Sequence, residues 1–302
     1  MVSERETTTV FVPPLPNGLD RGELKNVLCA GVSAHPHIEP AGSEDEADFV
    51  LVDFRHLLHD DYEIVAPEKT IIIDYRDQWN EVFAHDALLY FKRAVTHHVT
   101  RQLVEFDRSI HPISYCVRDE YADRSDEFPA ERDVDVSGFF DPVGLRASRI
   151  NRYRADVAET VSAAFGDRNI RVGHVGLIGR SGRNEFQQEY FDAMAQSKII
   201  VTCNPNLWEG DYRLFESLCS GAMVLCDKMA TPMPHPFLHR EHLVYYDRTD
   251  MAGLVNEIER YLADDAARTS IARAGYEHAM AHHRASHRID QVIDLARITA
   301  GV

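Results

Sequence analysis

The chain has 302 residues, of which 44% are apolar and 27% are charged, and its formal net charge at pH 7 is −17. These values are typical of a soluble globular protein with one large or two ordinary domains. A strongly acidic chain is not expected to bind a nucleic-acid backbone or an anionic membrane over a broad face, because such binding neutralises phosphates with basic residues. We therefore expect no nucleic acid among the partners, and we expect any anionic ligand to be small and held by a few arginines.

Signals for membrane insertion and secretion are not found in the sequence. It has no apolar run of about 18 residues or more, the length that suggests a transmembrane helix. The N-terminus, MVSERETTTVFVPP, lacks a basic start followed by an apolar core, which is the pattern of a secretory signal. Five scattered cysteines without a CxxC pair predict reduced thiols in the core. We expect a cytoplasmic protein without integral membrane contact, and at most a peripheral association with a membrane.

Apolar runs rich in β-branched residues predict strands in the first part of the chain. They are TTTVFVPP at 7–14, DFVLVDF at 48–54, KTIIIDY at 69–75 and HPISYCV at 111–117. A helix is predicted over Leu19–Cys29, between the first two runs. Continuous apolar strands are typical of a sheet that is buried on both faces, as parallel sheets are.

An acidic segment, Arg118–Asp135, separates this part from the rest of the chain. It has many acids, one proline and no apolar periodicity, which is typical of a linker. We therefore predict an N-terminal Rossmann-like domain over residues 1–128 and a C-terminal Rossmann-like domain over 129–284. The last segment, 285–302, is predicted to be a helix that packs back on the N-terminal domain.

The second part of the chain alternates strands with helices. A strand is predicted over 134–140, and a helix over Arg146–Phe165, where apolar residues recur with a helical period. Asn184, with Gln187 three positions on, fits a capping box before the next helix. Further strands are predicted at 198–203, 222–227 and 242–246, and three helices from about Asp250, Asp265 and Ala285.

This alternation predicts an α/β fold of two Rossmann-like domains facing each other across a cleft. In such sheets the ligand crevice lies beyond the carboxyl ends of the strands. The stretch NPNLWEGDYRLFESLCSGAMVLCD, residues 204–227, occupies that position, because it connects two of the predicted strands through a polar, aromatic loop and a short helix.

The start of this short helix is a candidate phosphate site. A helix N-terminus presents N–H groups without intrahelical acceptors and a partial positive charge. If the helix begins near Asp211, Gly210 permits close approach of the backbone, the N–H groups from Tyr212 onward face the ligand, and Arg213 can contact a diphosphate. Glu216 lies one turn further on and could accept hydrogen bonds from a ribose diol. The alternative is that Arg213 and Glu216 form a surface ion pair, worth about 0.2–0.5 kcal/mol.

The segment Val172–Asp227 resembles the C-terminal domain of GT-B-fold glycosyltransferases of the group 1 lineage. The resemblance rests on GLIGRSGRNEFQQEYFDAMAQSKIIVTCNP followed by DYRLFESLCSGAMVL, and LLYFKR at 88–93 is similar to a phrase in bacterial surface-glycan members. It implies that the N-terminal domain is the acceptor-side domain, that the C-terminal domain binds the nucleotide-sugar donor, and that Glu216 binds the donor ribose. The first glutamate of the family motif, expected eight positions earlier, falls on Trp208, with Glu209 one residue away.

Further candidate residues lie at strand exits and in a glycine-rich loop. Arg180, in the loop GRSGRN, could steady a diphosphate, and the resemblance makes Lys198 a second phosphate candidate. Asp74 and Asp77, in DYRD after a predicted strand, could orient an acceptor hydroxyl or act as the general base. The alternative for such aspartates is that they cap the turn that follows the strand.

The resemblance implies a glycosyltransferase that moves a sugar from a nucleotide-diphosphate sugar to a hydroxyl of a glycan or other acceptor, in surface glycan or glycoconjugate biosynthesis. It implies retention at the anomeric carbon and neither a bound metal nor a cofactor beyond the sugar donor. The histidines show no zinc-ligand spacing, and we interpret the D-x-D of Asp133–Asp135 as solvated. The alternatives are a catalytically silent nucleotide-sugar-binding protein and a sugar-nucleotide epimerase of the same fold.

Overall fold

The structure is a computed structural model that describes part of the chain in nine ranges. They are residues 7–14, 23–58, 62–76, 86–93, 110–140, 152–173, 175, 186–205 and 210–302. The chain divides into two compact units, each of which the chain enters more than once. Unit 1 comprises Met1–Ser114, Thr231–Met233 and Arg284–Val302, and unit 2 comprises Tyr115–Ala230 and Pro234–His283.

Unit 1 is built on a six-stranded parallel sheet in the order β2-β1-β3-β4-β5-β6. Its strands are β1 (Thr8–Phe11), β2 (Ile38–Pro40), β3 (Phe49–Asp53), β4 (Thr70–Asp74), β5 (Leu89–Lys92) and β6 (Ile110–Pro112). Every residue of β3, β4 and β5 is buried, and for β3 and β4 the continuous apolar runs predicted this burial. The predicted strand at 111–117 is shorter in the structure, because β6 ends at Pro112.

Two helices of unit 1 pack against each other: α1 (Glu23–Ala34) and a C-terminal helix (Ala285–Ala300), which is the seventh helix of the described chain and is called α7. Gly31 makes the close approach possible, since a Cβ atom at this position would lie 3.0 Å from the Cβ of Ala285. Gln291 of α7 also donates to the carbonyl oxygen of Pro112, at the end of β6. The C-terminal helix is therefore part of unit 1.

Unit 2 is built on a five-stranded parallel sheet in the order β11-β10-β9-β7-β8. Its strands are β7 (Val134–Gly138), β8 (Ile170–Val172), β9 (Ser197–Thr202), β10 (Met223–Asp227) and β11 (Val244–Tyr246). Its described helices are α2 (Arg152–Phe165), α3 (Gln188–Ala195), α4 (Tyr212–Cys219), α5 (Met251–Ala263) and α6 (Asp265–His282). Two parallel α/β units of Rossmann-like topology are thus confirmed.

The core of unit 2 follows the strand pleat and the helical period. Val157 and Val161 of α2 pack with alternate strand residues such as Val136, Ile199 and Leu225 in one cluster. α4 packs against α6. Gly275 of α6 allows that contact, because a Cβ atom there would lie 2.1 Å from the carbonyl oxygen of His242 and 3.1 Å from Leu218.

The strand order places a topological switch point in unit 2. The chain runs from β7 to β8 on one side and then returns to add β9 on the other side of β7. The connections that leave β7 and β9 therefore diverge, and in doubly wound sheets the ligand crevice lies outside the carboxyl ends of two such strands. The segment 203–213, which leads from β9 into α4, begins at this point.

Two local predictions need correction. α3 begins at Gln188, with Gln187 as its N-cap residue and without a side-chain cap bond, so the predicted start near Asn184 is wrong, and Asn184 itself lies outside the described residues. The acidic segment 118–135 is not an open linker. Arg132 donates to the carbonyl oxygens of Ala195, Ser197 and Ser220, which anchors the segment to unit 2.

Candidate functional site

Helix α4 has the limits that its sequence predicts. It begins at Tyr212 after the extended N-cap residue Asp211, and its last helical residue is Cys219. Gly221 follows with a φ of +68°, the left-handed conformation that commonly ends a helix. Because α4 follows β9 through residues 203–211, its N-terminus lies at the carboxyl edge of the parallel sheet.

Gly210 is required by backbone conformation and by a close neighbour. Its φ is +89°, a region that residues with a side chain rarely adopt. A Cβ atom at this position would lie 2.5 Å from the sulfur of Met229, which follows β10. The group that comes close to the Gly210 backbone in this structure is therefore the Met229 side chain.

Arg213 links the start of α4 to the end of β7. Its Nε donates to the carbonyl oxygen of Phe139 at 2.8 Å, and its Nη1 lies 3.2 Å from Oδ2 of Asp211. Arg154 of α2 approaches the same Asp211 oxygen at 3.0 Å and donates from Nε to the carbonyl oxygen of Cys203. Since the partners of Arg213 are Asp211 and Phe139, the alternative of an Arg213–Glu216 surface ion pair is wrong.

Glu216 lies on the buried side of α4, with 3% of its surface exposed. Its Oε2 accepts a hydrogen bond from the Tyr190 hydroxyl of α3 at 3.1 Å. Burial, together with the charge of Glu216, raises the pKa of the nearby Tyr121 hydroxyl. The Tyr190 hydroxyl thus orients the carboxylate.

Tyr212, the first residue of α4, is also buried and stacks on Tyr115 with the ring centroids 3.8 Å apart. This contact packs the side chain into unit 2. The role predicted for Tyr212 therefore belongs to its backbone N–H group.

Three polar residues that the sequence analysis did not select complete this edge of the sheet: Asn204, Asp227 and Arg248. Asp227 ends β10, accepts the Asn204 backbone N–H at 2.7 Å and lies 3.5 Å from Nη1 of Arg248. Burial raises the pKa of Asp227 to about 6. A signal for Asp227 was present, because it ends an apolar strand in the same way as Asp53 and Asp74 do.

Lys198 lies at the other edge of the sheet. It is the second residue of β9, at the amino end of the strand, and its Nζ is 2.6 Å from Oδ1 of Asp135. The predicted donor-phosphate role is therefore corrected, because β9 separates Lys198 from the start of α4. The same ion pair corrects the interpretation of Asp135 as solvated.

Asp74 is a buried counter-ion in unit 1. Its side chain is fully buried and accepts hydrogen bonds from Arg76, from the Tyr90 hydroxyl at 2.6 Å and from Nζ of Lys92 at 2.9 Å. Burial favours the neutral acid, but the bonds from Arg76 and the charge of Lys92 outweigh it and lower the pKa of Asp74. A saturated carboxylate of this kind cannot reach an acceptor, so its predicted role as a general base is corrected.

Asp53 and Asp74 cap the turns that follow β3 and β4, which is the alternative to a catalytic role that strand-end aspartates offer. The backbone N–H of Arg76 donates to Asp74 at 3.0 Å, and that of Arg55 donates to Asp53 at 2.9 Å. Each aspartate also forms an ion pair with the side chain of the arginine whose N–H it accepts. The acid–aromatic–arginine sequence of 53–55 and of 74–76 thus builds two equivalent turns. Asp77 and Arg180, the remaining predicted site residues, lie outside the described residues, as do Trp208 and Glu209.

None of the described helices has the length and apolar character that crossing a membrane requires. Among the described histidines, cysteines, aspartates and glutamates, no three or more side chains are grouped so that they could hold a metal ion.

Residues 154–294 match the family described as Glycosyl transferase-like. Among solved structures, the chain is similar to an alpha-glucosyltransferase in complex with UDP and a 13-mer DNA containing a central A:G mismatch, with a TM-score of 0.58, 11% identity and coverage of 95% of this chain and 98% of that chain. It is similar to a glycosyltransferase from Rickettsia africae ESF-5, with a TM-score of 0.52, 10% identity and coverage of 97% and 98%.

A third similar structure is TarM, with a TM-score of 0.54 and 11% identity over 82% of this chain and 54% of that chain. No curated protein matches the sequence. At these identities the structural similarity establishes the fold.

Proposed function

We propose that the protein is an enzyme that moves a sugar from a nucleoside-diphosphate sugar to a hydroxyl acceptor. Two findings support this proposal: residues 154–294 match the family described as Glycosyl transferase-like, and the chain has a GT-B fold. In this proposal the donor diphosphate binds at the start of α4. Glu216 accepts hydrogen bonds from the donor ribose.

The position of the α4 N-terminus is the observation that carries the proposal. It lies at the switch point of the unit 2 sheet, tied by Arg213 to the residue that follows β7. A helix N-terminus carries a partial positive charge of about half an elementary charge. Arg154 and Arg213 both pair with the carboxylate of the N-cap residue Asp211, so this group adds one positive charge in excess at the same place.

This arrangement supports stabilisation of a leaving diphosphate. Negative charge develops on the diphosphate as the bond to the sugar breaks, and donors that are already oriented lower the barrier without reorganisation. Arg213 is oriented by the Phe139 carbonyl and Arg154 by the Cys203 carbonyl. Each arginine keeps its position when the diphosphate arrives, and each can add a charge-assisted hydrogen bond to it.

Glu216 is suited to a ligand that becomes largely covered. Its carboxylate is buried and oriented by Tyr190. Hydrogen bonds from a diol to such a carboxylate are stronger than those in water, because the local dielectric constant is low. The group 1 resemblance supports the ribose as that diol.

We assign the acceptor hydroxyl to a glycan or glycoconjugate. The net charge of −17 supports this choice over DNA, because a DNA duplex would be repelled unless a basic groove compensated. The group 1 resemblance supports transfer with retention of the anomeric configuration, without a bound metal and without a cofactor other than the donor.

The test is a donor screen on the full chain. Purified protein is incubated with UDP-glucose, UDP-N-acetylglucosamine and GDP-mannose, with and without glycan acceptors or duplex DNA. Released nucleoside diphosphate and glycosylated product are both measured. We expect one donor class to give product with a glycan acceptor and none with DNA, and addition of EDTA should leave the rate unchanged.

Each other outcome has a defined meaning. Donor binding without release or transfer would indicate a silent nucleotide-sugar-binding protein. Conversion of the donor sugar without an acceptor would indicate an epimerase. Product on DNA would overturn the acceptor assignment, and failure of every donor to bind would overturn the proposed function.

A further inference from the structure

A cavity of about 770 Å³ lies in unit 2, away from the start of α4. Lys198, at the amino end of β9, and Gly221, just before β10, form part of its lining. Arg132 and the α6 residues Arg268 and Tyr276 line it as well. Its volume is in the range that holds one small molecule. Because these residues lie at the amino ends of the strands, the cavity is separate from the candidate donor site.

The basic and acidic side chains that line this cavity differ in their exposure. The side chains of Arg268 and Lys198 are 11% and 31% exposed. The acidic side chains of Asp265 and Glu277 are 82% and 59% exposed and lie at the rim. Asp265 lies 2.6 Å from Arg268 but is solvated, so it offsets that cation only in part, whereas Asp135, at 18% exposure, lies 2.6 Å from Lys198 and neutralises it. The positive potential of the cavity therefore comes from Arg132 and Arg268.

Arg132 and Arg268 produce most of that potential. Arg132 donates to three carbonyl oxygens, of Ala195, Ser197 and Ser220, at 2.6–3.0 Å, and no carboxylate of the described chain pairs with it. Burial and the neighbouring charge of Arg268 lower the pKa of Arg132 to about 10. The carboxylate that pairs with Arg268 is the exposed Asp265, so an anion bound between the two guanidinium groups would offset the repulsion that remains between them.

An aromatic wall adjoins the two arginines. Phe128 and Tyr276 meet edge to face with the ring centroids 5.5 Å apart, and the Arg132 guanidinium lies over Phe128. Gly221 keeps this wall in place, because a Cβ atom there would lie 2.5 Å from the Phe128 ring. We propose that the cavity is a second binding site for a small organic anion, with its phosphate or carboxylate group at Arg132 and Arg268 and its carbon skeleton against Phe128 and Tyr276.

The test is calorimetric titration of the full chain with three probes: inorganic phosphate, phenyl phosphate and benzoate. It needs no transferase activity, so its result does not depend on the proposed function. We expect phenyl phosphate to bind more tightly than inorganic phosphate, because of the aromatic wall. Comparison with benzoate decides whether the anionic group is a phosphate or a carboxylate.

Arg268→Gln is the informative variant, because Arg132 also anchors three carbonyl groups and its loss could disturb the fold. We expect Arg268→Gln to weaken phenyl phosphate binding by about tenfold or more, as for loss of a charged hydrogen-bond donor. Arg240→Gln is the matched control in unit 2, since Arg240 is 46% exposed, pairs with Glu257 and does not line the cavity. It should change binding by less than about twofold. Thermal melting verifies that both variants fold.

Three results would overturn the proposal. The first is no binding of any probe to the wild-type protein. The second is equal binding by the wild type and Arg268→Gln, or equal losses in Arg268→Gln and Arg240→Gln. The third is binding that survives Arg268→Gln but is lost in Arg213→Ala, which would place the anion at the start of α4.

Discussion

Arg213 donates a hydrogen bond of 2.8 Å from its Nε to the carbonyl oxygen of Phe139. Arg213 belongs to the first turn of α4, and Phe139 is the first residue after β7. The bond therefore joins the two connections that diverge at the switch point of the unit 2 sheet. It orients the guanidinium that we assign to the donor diphosphate, and it makes this arginine part of both the fold and the site.

Arg213→Ala should weaken binding of UDP by about 1.5–3 kcal/mol, the range for a hydrogen bond to a charged group. Uridine, which lacks the diphosphate, should lose much less. Arg213→Lys keeps the positive charge without the fixed fork of donors, so its affinity should be intermediate. Titration calorimetry with both ligands measures the difference, and equal losses for UDP and uridine in Arg213→Ala would count against a phosphate role.

Glu216→Gln should weaken binding of the nucleotide by about 1–3 kcal/mol if the carboxylate accepts hydrogen bonds from the ribose. The amide retains the shape of the side chain and can still accept the Tyr190 hydroxyl bond. Glu259→Gln, at an exposed position of α5, is the control and should have no effect. The 2′,3′-dideoxy nucleotide should bind the wild type and Glu216→Gln equally, and an unchanged dissociation constant for UDP in a folded variant would exclude the role.

Gly210→Ala should lower the free energy of unfolding by about 1–3 kcal/mol, because the residue must keep a positive φ and its Cβ atom meets Met229. The double variant Gly210→Ala/Met229→Ala should recover the steric part of the loss and retain the conformational part. Urea unfolding of the two single variants and the double variant separates these contributions. A neutral Gly210→Ala would show that the loop does not hold this backbone conformation.

A cluster of histidines in unit 2 predicts loss of stability in acid. The rings of His242 and His278 stack 3.9 Å apart, and the rings of His235 and His282 stack 4.1 Å apart. Nε2 of His278 and Nε2 of His283 both lie within 3 Å of the His235 carbonyl oxygen. Burial lowers the pKa of His242, His278 and His282 below the ordinary value of 6.5, partly offset at His242 by Glu241 and at His278 by its bond to the His235 carbonyl.

Proton linkage gives the direction in which the free energy of unfolding changes with pH. The unfolded chain binds protons near pH 6.5 while the folded cluster does not, so the stabilising contribution is complete above that pH and is lost as the pH falls through the lowered values. Urea unfolding at pH 7.5, 6.5 and 5.5 should show this decrease. His278→Gln should reduce the slope by at most about 1.4 kcal/mol per pH unit, the value for one proton.

The fold could be predicted well from the sequence where apolar runs were long. The runs that became β3, β4 and β10 are buried along their whole length, which is what a continuous apolar pattern indicates. Element ends were harder, because side chains decide them. Asn184 and Gln187 fit a capping box, but α3 begins only at Gln188, and the acidic composition of 118–135 concealed the anchoring role of Arg132.

The site could be predicted only where its residues are adjacent in sequence. Gly210, Asp211 and Arg213 come together because they lie on one turn. Arg154 and Asp227 reach the same edge of the sheet from α2 and β10, and no local spacing indicates such long-range contacts. Asp74 and Lys198 were predicted as site residues, but both are ion-pair partners in the structure. A charged residue at a strand end can serve in a buried or half-buried ion pair equally well.

The most direct test of the account is backbone amide NMR of the full chain during titration with UDP. We expect the amide signals of Tyr212 and Arg213 to shift most at saturation, because their N–H groups face the diphosphate, and we expect uridine to shift them much less. The Leu214 N–H already donates to the Asp211 carbonyl oxygen at 3.3 Å, so its signal should shift less. Binding of UDP that leaves the Tyr212 and Arg213 amides unmoved would contradict the central claim.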